Sequence, residues 1–258
     1  MIPKVVIDEW RQQAPWPLDE QVEQDLIISR ALVELFNHEV LKDKIAFRGG
    51  TALHKLVFPR PLRYSEDIDL NRLEKGPATH IIDGVREALD GMLGQPKKVK
   101  STQNSIKMLY DYESIGNSKR RLKVEINTRE TLPEKTLEFI EYQVESEYFS
   151  GKTTLTVFNK EEMIGTKIRA LYQRNKGRDL FDLYQLSELD SIDWSLVVAS
   201  FEKLEIGASA KNIADNLDLK MQNKEFLADL DPLLPQDFNY NPENAYHWFQ
   251  KEILSKFD

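Results

Sequence analysis

Two aspartates separated by one residue are the first candidates for chemistry in this sequence. Asp67 and Asp69 lie in residues 65–70 (SEDIDL), where polar and apolar residues alternate with the period of a β-strand. Residues two apart on a strand point to the same side, so both carboxylates can bind hard cations such as Mg²⁺ or Mn²⁺. Two such ions would bind a triphosphate, activate an attacking hydroxyl and stabilise the departing pyrophosphate. An isolated Asp-x-Asp is also common at solvated strand ends.

A glycine pair precedes these aspartates. Residues 45–47 (IAF) favour a short buried strand, Gly49, Gly50 and Thr51 follow, and helical spacing resumes at Ala52. Glycines at a strand-to-helix turn let backbone N–H groups approach a phosphate closely. The turn therefore predicts a triphosphate cradle, with a purely geometric role as the alternative. The order strengthens the prediction, because the aspartate pair follows on the next strand.

A third carboxylate would complete a metal site. Glu125 lies in residues 122–127 (LKVEIN), on another alternating strand that a neighbouring position in the sheet would bring close. We therefore take Glu125 as the candidate third ligand. A polar position facing water is the other interpretation, and Asn127 lies on the same face.

The helical second half offers basic side chains for a phosphate. Lys167 and Arg174 fall near a common face of one predicted helix, where lysine can hold phosphate as a point charge and arginine can bind it through two bonds. Further charged residues of this segment are Arg169, Lys176, Arg178, Asp179 and Asp182. Ordinary helix-surface charges would give the same pattern.

The segments between these motifs predict an α+β fold. Alternating strands are predicted at residues 45–47, 65–70, 97–102, 105–112, 120–127, 141–149 and 153–158. Helices are predicted at residues 19–42, 78–93, 161–174, 178–189, 195–204, 208–217, 224–230 and 242–257. We therefore expect a catalytic domain at residues 1–158 and a helical domain at residues 159–258 that completes one cleft.

The amino-acid composition excludes several classes of protein and of site. Of the 258 residues, 41% are hydrophobic and 30% are charged, which is typical of a folded globular protein. No long apolar stretch predicts a membrane span, and the first residues do not resemble a secretory signal. The absence of cysteine excludes disulfides and thiolate sites and favours a cytoplasmic location.

The charge is unevenly distributed. A net charge of −8 argues against a nucleic-acid partner, but residues 97–129 carry 9 basic and 3 acidic side chains, whereas residues 179–258 carry 6 and 16. The basic segment predicts either a surface that contacts RNA or simply a solvated face.

Four motifs together resemble a known family. Residues 47–53 (FRGGTAL), 63–70 (RYSEDIDL), 167–171 (KIRAL) and 178–183 (RDLFDL) are similar, in order and separation, to the AbiEii/AbiGii-type nucleotidyltransferase toxins of type IV toxin–antitoxin and phage-defence systems. The resemblance extends from about residue 45 to residue 189. The chain has Arg48 where this family often has lysine, which keeps the charge.

The resemblance implies a fold, a reaction and partners. The fold would be of the polymerase-beta type, with a mixed central sheet and a helical C-terminal part. The reaction would transfer a nucleoside monophosphate from a nucleoside triphosphate to RNA, in some members the 3′ end of transfer RNA, and so block translation. A cognate antitoxin would be the protein partner.

The resemblance also implies roles for individual residues. Gly49, Gly50 and Ser65 would contact the triphosphate, and Asp67 and Asp69 would bind metal. In the helical part, Lys167 would hold phosphate and Asp182 would complete the pocket, with Asp179 as a less certain neighbour. Glu125 as a third ligand comes from general nucleotidyltransferase architecture.

Two classes of function remain open at this point. One is an active transferase that acts on RNA. The other is a nucleotide-binding protein of the same fold that an antitoxin regulates and that does not turn over. Asp67, Asp69 and Lys167 favour the transferase. A phosphodiester hydrolase is a weaker third possibility, because hydrolysis needs neither a glycine cradle nor a phosphate-binding lysine. The nucleotide, the acceptor and the antitoxin are not specified by the sequence.

Overall fold

A seven-stranded mixed β-sheet forms the centre of the first of two units in the computed structural model, which describes residues 2–129, 137–204 and 207–257. The first unit is Met1–Phe158 and the second is Asn159–Asp258. The strands are β1 (Ile45–Arg48), β2 (Asp67–Arg72), β3 (Lys98–Ser101), β4 (Ser105–Glu113), β5 (Lys119–Asn127), β6 (Glu138–Glu145) and β7 (Ser150–Val157).

The strand order is β3-β4-β5-β2-β1-β7-β6. The pairs β2·β5 and β1·β7 are parallel, and the remaining four neighbouring pairs are antiparallel. The predicted α+β fold with a mixed central sheet is therefore confirmed. The adjacent strands β1 and β2 carry the two motifs that the sequence singled out: the glycine turn directly follows β1, and the aspartate pair lies within β2.

Alternation along the strands decides which side of the sheet is buried. Ile68 and Leu70 of β2 and Val124 and Ile126 of β5 are at most 1% exposed, and they form the core with the helices. Residues at the intervening positions are half-buried on the opposite face. The pleat thus keeps the apolar residues in the core and leaves the carboxylates of both strands on the accessible side.

The α-helices in the described part of the first unit are α1 (Lys4–Trp10), α2 (Asp19–Asn37), α3 (Gly49–Ala52) and α4 (Ala78–Leu93). A π-helical turn, Leu53–Val57, continues α3. Helix α4 has the predicted bounds, buries Ile81, Val85 and Leu89 at intervals of four residues, and is followed by Gly94 at a positive φ of 73°.

Several elements differ from the sequence prediction, among them β2, which is Asp67–Arg72 instead of residues 65–70, and the helix Ala210–Met221, which was predicted at residues 208–217. Helix α2 ends at Asn37 instead of residue 42, because His38 is extended and the chain turns there. Helix α1 was not predicted, although its buried Val6, Ile7 and Trp10 have helical spacing; at 7 residues it is too short for a clear periodic signal. Strand β6 ends at Glu145, since a turn closed by the Ser146 N–H and the Phe149 carbonyl leads into β7.

The second unit contains α-helices and no strand within the described residues 159–204 and 207–257. Its helices are α5 (Lys160–Gln173), α6 (Gly177–Tyr184), α7 (Trp194–Glu202), α8 (Ala210–Met221), α9 (Lys224–Ala228) and α10 (Pro242–Trp248). Asn159 caps α5 by accepting a hydrogen bond from the Glu162 N–H, at 3.0 Å. Across the part of the chain that the structure describes, no helix combines the length and apolarity needed to cross a bilayer.

Candidate nucleotide and metal site

The glycine turn lies directly against the aspartate pair. Strands β1 and β2 pair antiparallel with Arg48 opposite Asp69, so the chain leaves β1 at Gly49 beside the Asp69 side chain. A Cβ atom on Gly49 would lie 2.5 Å from Oδ2 of Asp69, and its φ of +82° is in the left-handed region. Only glycine fits both the conformation and the contact. Gly50 follows and is buried in α3.

Two hydroxyl groups connect this turn to the start of β2. The Thr51 hydroxyl donates to the Asp67 carbonyl oxygen at 2.6 Å, and the hydroxyl oxygens of Thr51 and Ser65 are 2.7 Å apart. Thr51 is 2% exposed, whereas Ser65 is half-buried just before the strand. The structure therefore brings together the predicted triphosphate contacts Gly49, Thr51 and Ser65 beside the carboxylates.

The parallel pairing of β2 and β5 brings the third carboxylate to the same face. Asp67 is opposite Lys123 and Asp69 is opposite Glu125. Partner residues on neighbouring strands share a face of the sheet. Asp67, Asp69 and Glu125 therefore all project to the half-buried side.

Lysines already engage two of these carboxylates. The Lys123 ammonium nitrogen is 2.8 Å from Oδ2 of Asp67 and 3.3 Å from Oε2 of Glu125. Lys107, on β4, is 2.7 Å from Oε1 of Glu125. Glu125 is thus neutralised by two ammonium groups, whereas Asp67 has one.

The ionisation of these groups follows from burial and charge. Burial raises the pKa of the Asp67 carboxyl to about 6, and neighbouring Asp69 adds to the increase, while Lys123 opposes it. Burial also disfavours the charge of Glu125, but Lys107 and Lys123 outweigh burial and lower the pKa of that carboxyl. A cation near Asp67 would favour its ionised form.

The donor chemistry of the aspartate pair fits a hard divalent cation. Among the described residues, no group of three or more histidine, cysteine, aspartate or glutamate side chains is arranged to hold a metal. The two same-face carboxylates of Asp67 and Asp69 are oxygen donors of the kind that Mg²⁺ prefers. A cation bound there would compete with Lys123 for Asp67, and the role of Glu125 as a ligand stays a prediction.

Lys107 and Lys123 were not singled out in the sequence. The alternation of residues in β5 could have identified Lys123, since Lys123 lies between the apolar Leu122 and Val124 and must therefore share the face of Glu125. Lys107 required the β4·β5 register, which places it opposite Glu125. The pairing registers place further lysine and arginine side chains of β3, β4 and β5 on the same side of the sheet as Glu125. We call this set the basic face: Lys98, Lys100, Lys107, Lys119, Arg121 and Lys123.

Three predicted residues of the helical part, Lys167, Asp179 and Asp182, form a buried charge cluster within the second unit, and the exposed Arg174 pairs with it. Lys167 is 5% exposed, and its ammonium nitrogen is 3.1 Å from Oδ1 of Asp179 and 2.8 Å from Oδ2 of Asp182. Arg174 binds Asp179 through two nitrogens, at 2.5 and 2.7 Å. Burial disfavours the charge of Asp179, but Lys167 and Arg174 outweigh it and lower the pKa of that carboxyl.

The carboxylates of this cluster are not surface charges, although Arg174 at its edge is exposed. Asp179 and Asp182 are both 0% exposed. The cluster pairs Lys167 and Arg174 with these two carboxylates and is formally neutral. Its members are fixed in position by one another. The nucleotide and catalytic roles predicted for Lys167, Arg174 and Asp182 remain predictions.

The other basic residues of this segment have different partners. Lys176 and Arg178 contact Asp229, at 3.1 and 2.9 Å. Lys220, which the sequence did not single out, donates to the carbonyl oxygens of Leu171 and Tyr172 at the end of α5. Burial lowers the pKa of Lys220 to about 8.

Comparison with known proteins supplies a family and a fold. The family model described as nucleotidyl transferase AbiEii toxin, type IV toxin–antitoxin system, matches residues 30–249. No curated protein matches the chain. The structure of the nucleotidyltransferase toxin MenT4 from Mycobacterium tuberculosis has a TM-score of 0.67 at 16% identity, covering 100% of this chain and 91% of MenT4.

A second solved structure has the same fold. A protein from H. pylori described as a nucleotidyltransferase has a TM-score of 0.59 at 23% identity, covering 90% of this chain and 93% of its own. At these identities the two structures show the fold alone. The predicted nucleotidyltransferase fold is confirmed.

Proposed function

Since the chain belongs to the AbiEii family of nucleotidyl transferase toxins of type IV toxin–antitoxin systems, we propose that its acceptor is RNA and that the reaction depends on a divalent metal. A nucleoside monophosphate would pass from a nucleoside triphosphate to the 3′ end of transfer RNA. Such a modification would stop translation by blocking the end that carries the amino acid. A cognate antitoxin would restrain the enzyme.

One observation carries the metal-dependent part of the proposal. The turn at Gly49 is so close to Asp69 that no side chain fits between them. A phosphate at the backbone of this turn and a cation at Asp67 and Asp69 would therefore be direct neighbours. This is the arrangement that phosphoryl-group chemistry requires.

The reaction follows from this arrangement. A hydroxyl oxygen of the acceptor would attack the α-phosphorus, a new P–O bond would form, and the bond to pyrophosphate would break. A divalent cation at the aspartates supplies charge neutralisation for the phosphates. Asp67 and Asp69 would hold that cation in place, and Ser65, half-buried beside Thr51, would offer its hydroxyl to a phosphate oxygen, while the Thr51 hydroxyl stays committed to the Asp67 carbonyl oxygen.

The basic face supports an RNA acceptor. Its six cationic side chains lie on the same side of the sheet as Asp67 and Asp69. Three of them pair with carboxylates of that face, Lys107 and Lys123 with Glu125 and Arg121 with Asp111, whereas Lys98 and Lys100 lie on β3, whose four residues are all exposed. Lysine and arginine contacts to phosphates supply most of the sequence-independent affinity for nucleic acid. A strand of RNA along this face would lead to the carboxylates.

A labelling experiment tests the proposal. The protein is incubated with Mg²⁺, total RNA and each α-labelled nucleoside triphosphate in turn, beside Asp67→Asn and the exposed control Asp43→Asn. We expect label in a band of transfer-RNA size from the parent and the control, and none from Asp67→Asn or after Mg²⁺ is chelated.

Two further conditions define the acceptor. Periodate oxidation of the RNA destroys the 3′-terminal hydroxyls and should abolish labelling, if the 3′ end is the acceptor. Label in protein rather than in RNA would overturn the RNA assignment. Binding of triphosphate without label in any acceptor would instead favour a regulated nucleotide-binding protein.

A further inference from the structure

A lysine of β5 contacts the carboxylate that a divalent cation would use. The parallel register places Lys123 opposite Asp67, and its ammonium nitrogen lies 2.8 Å from Oδ2 of Asp67. Partner residues on neighbouring strands share a face of the sheet, so the pairing of β2 with β5 itself produces this contact. Lys123 and a cation would therefore compete for the same oxygen of Asp67.

The two lysines beside Glu125 differ in the carboxylates that they contact. Lys123 is 3.3 Å from Oε2 of Glu125 in addition to its contact with Asp67, whereas Lys107 is 2.7 Å from Oε1 of Glu125. If Lys123 moved away from Asp67, Glu125 would keep Lys107 as a partner. Movement of Lys123 would thus change the charge around Asp67 far more than the charge around Glu125.

The contact between Lys123 and Asp67 can open without disturbing the core. Their side chains are 30% and 31% exposed. A lysine ammonium is carried on a flexible four-carbon stem, and ion pairs that are this accessible to water are weak. Lys123 can therefore turn towards solvent or towards another anion while β5 stays in place.

The charges of the group decide when Lys123 has a reason to move. Asp67, Asp69 and Glu125 contribute three negative charges, and Lys107 and Lys123 contribute two positive ones, so the formal sum is −1. A divalent cation added to all five side chains would bring the sum to +1. A polyphosphate that enters with the cation would reverse this excess and would offer the ammonium of Lys123 a new anionic partner.

We propose that Lys123 controls how the metal site fills: its ammonium holds Asp67 against a free divalent cation and gives Asp67 up to a cation that arrives with a polyphosphate. Lys123 is a positioning residue in this scheme, since it acts through Asp67. The inference rests on the metal-dependent part of the proposed function and is independent of the RNA acceptor.

The affinity for free Mn²⁺ tests the first half of the proposal. Electron paramagnetic resonance of unbound Mn²⁺ is followed with the full-length protein at constant pH and ionic strength, without nucleotide. Lys123→Met should tighten Mn²⁺ binding about tenfold, because a competing charge is removed from Asp67. Lys107→Met is the matched control and should stay within about threefold of the parent, because Lys107 pairs with Glu125. Lys123→Arg keeps the charge and should restore the weak binding of the parent.

The affinity for a metal–polyphosphate complex tests the second half. Inorganic tripolyphosphate saturated with Mn²⁺ is titrated into the same proteins by calorimetry. Lys123→Met should bind this complex no more tightly than the parent does, because the variant has lost the ammonium that would contact the phosphates. A lysine with only a structural role would not change the two affinities in different directions. Equal tightening for free and complexed Mn²⁺ would therefore overturn the proposal.

Lysine NMR signals show the displacement directly. The ¹³Cε signal of Lys123 is assigned by its absence from the spectrum of Lys123→Met. Adding Mg²⁺ with tripolyphosphate should move this signal to saturation in the parent and leave it unchanged in Asp67→Asn. A Lys123 signal that does not respond in the parent while the complex binds would contradict the proposal.

The failure of this proposal is distinguishable from the failure of the proposed function. A parent that binds free Mn²⁺ as tightly as Lys123→Met would contradict the role of Lys123 alone. If neither protein binds Mn²⁺, with or without tripolyphosphate, the metal-dependent function is contradicted together with it.

Discussion

At the scale of single residues, the site depends on how close the glycine turn comes to the second aspartate. Gly49 combines a left-handed backbone with a contact that leaves no room for a methyl group. The spacing of Asp67 and Asp69 predicted that both face one side, and the register of β2 with its neighbours shows the same face. A position that tolerates only one residue type gives a sharp mutational test.

Gly49→Ala should therefore lower both stability and nucleotide transfer. The added Cβ would clash with Asp69, so we expect a loss of about 1–3 kcal/mol in the free energy of unfolding, and transfer reduced to background. Gly91→Ala is the matched control, because nothing lies within 4 Å of its added Cβ. Within helix α4 that change should stabilise by about 0.5–1 kcal/mol. Urea unfolding compares the stability of the two variants. Equal changes in the free energy of unfolding would contradict the close contact between Gly49 and Asp69.

Several features of the site were predictable from local sequence, and others were not. Alternation placed Glu125 on a defined face, and it also placed Lys123 there. It did not reveal that Lys123 bridges Asp67 and Glu125, because that contact depends on β2 and β5 being neighbours. Register between strands distant in sequence is a tertiary property that periodicity does not encode.

At the scale of elements, the sheet places the basic segment beside the carboxylates. Each strand of residues 97–129 was predicted to within one residue, since its alternation is regular and its turns are polar. The order β3-β4-β5-β2-β1-β7-β6 was not predicted. It is the parallel pairing of β5 with β2 that turns a basic stretch of sequence into a face that continues from Asp67 and Asp69.

Charge reversal on β3 tests this face. Lys98→Glu combined with Lys100→Glu should lower transfer to RNA at least tenfold and reduce the dependence of RNA binding on salt, because two phosphate contacts are lost. Triphosphate binding should change little. Lys152→Glu, at an exposed position of β7 in the same sheet, is the control and should behave like the parent. Filter binding across a salt series measures the effect, and unchanged RNA affinity in the double variant would refute an RNA-binding role.

At the scale of the whole molecule, two units with different architectures each contain one group of predicted site residues. The helical nature of the second unit was predicted from its periodicity, and its buried charge cluster was not. Lys167, Asp179 and Asp182 are at most 5% exposed, although the spacing of the sequence fits surface charges equally well. Burial of a charged residue depends on the packing of α5 against α6, which the one-dimensional pattern does not contain.

Lys167→Met tests whether the cluster holds the second unit together. Methionine fills a similar volume, but it leaves Asp182 buried without the ammonium 2.8 Å away, so we expect a loss of about 3 kcal/mol in the free energy of unfolding. Lys211→Met removes an exposed lysine of α8 and should change stability by less than about 0.5 kcal/mol. Urea unfolding followed by circular dichroism compares the two, and similar stabilities would show that the cluster contributes little.

The central claim is that the glycine turn and the aspartate pair form one metal and nucleotide site. Crystals of the parent protein grown with Mn²⁺ and a non-hydrolysable nucleoside triphosphate would show this site directly through the anomalous signal of manganese. We predict an anomalous peak within coordination distance of both Asp67 and Asp69, with phosphate oxygens against the backbone of Gly49. Manganese bound elsewhere, or phosphates remote from that turn, would contradict the account.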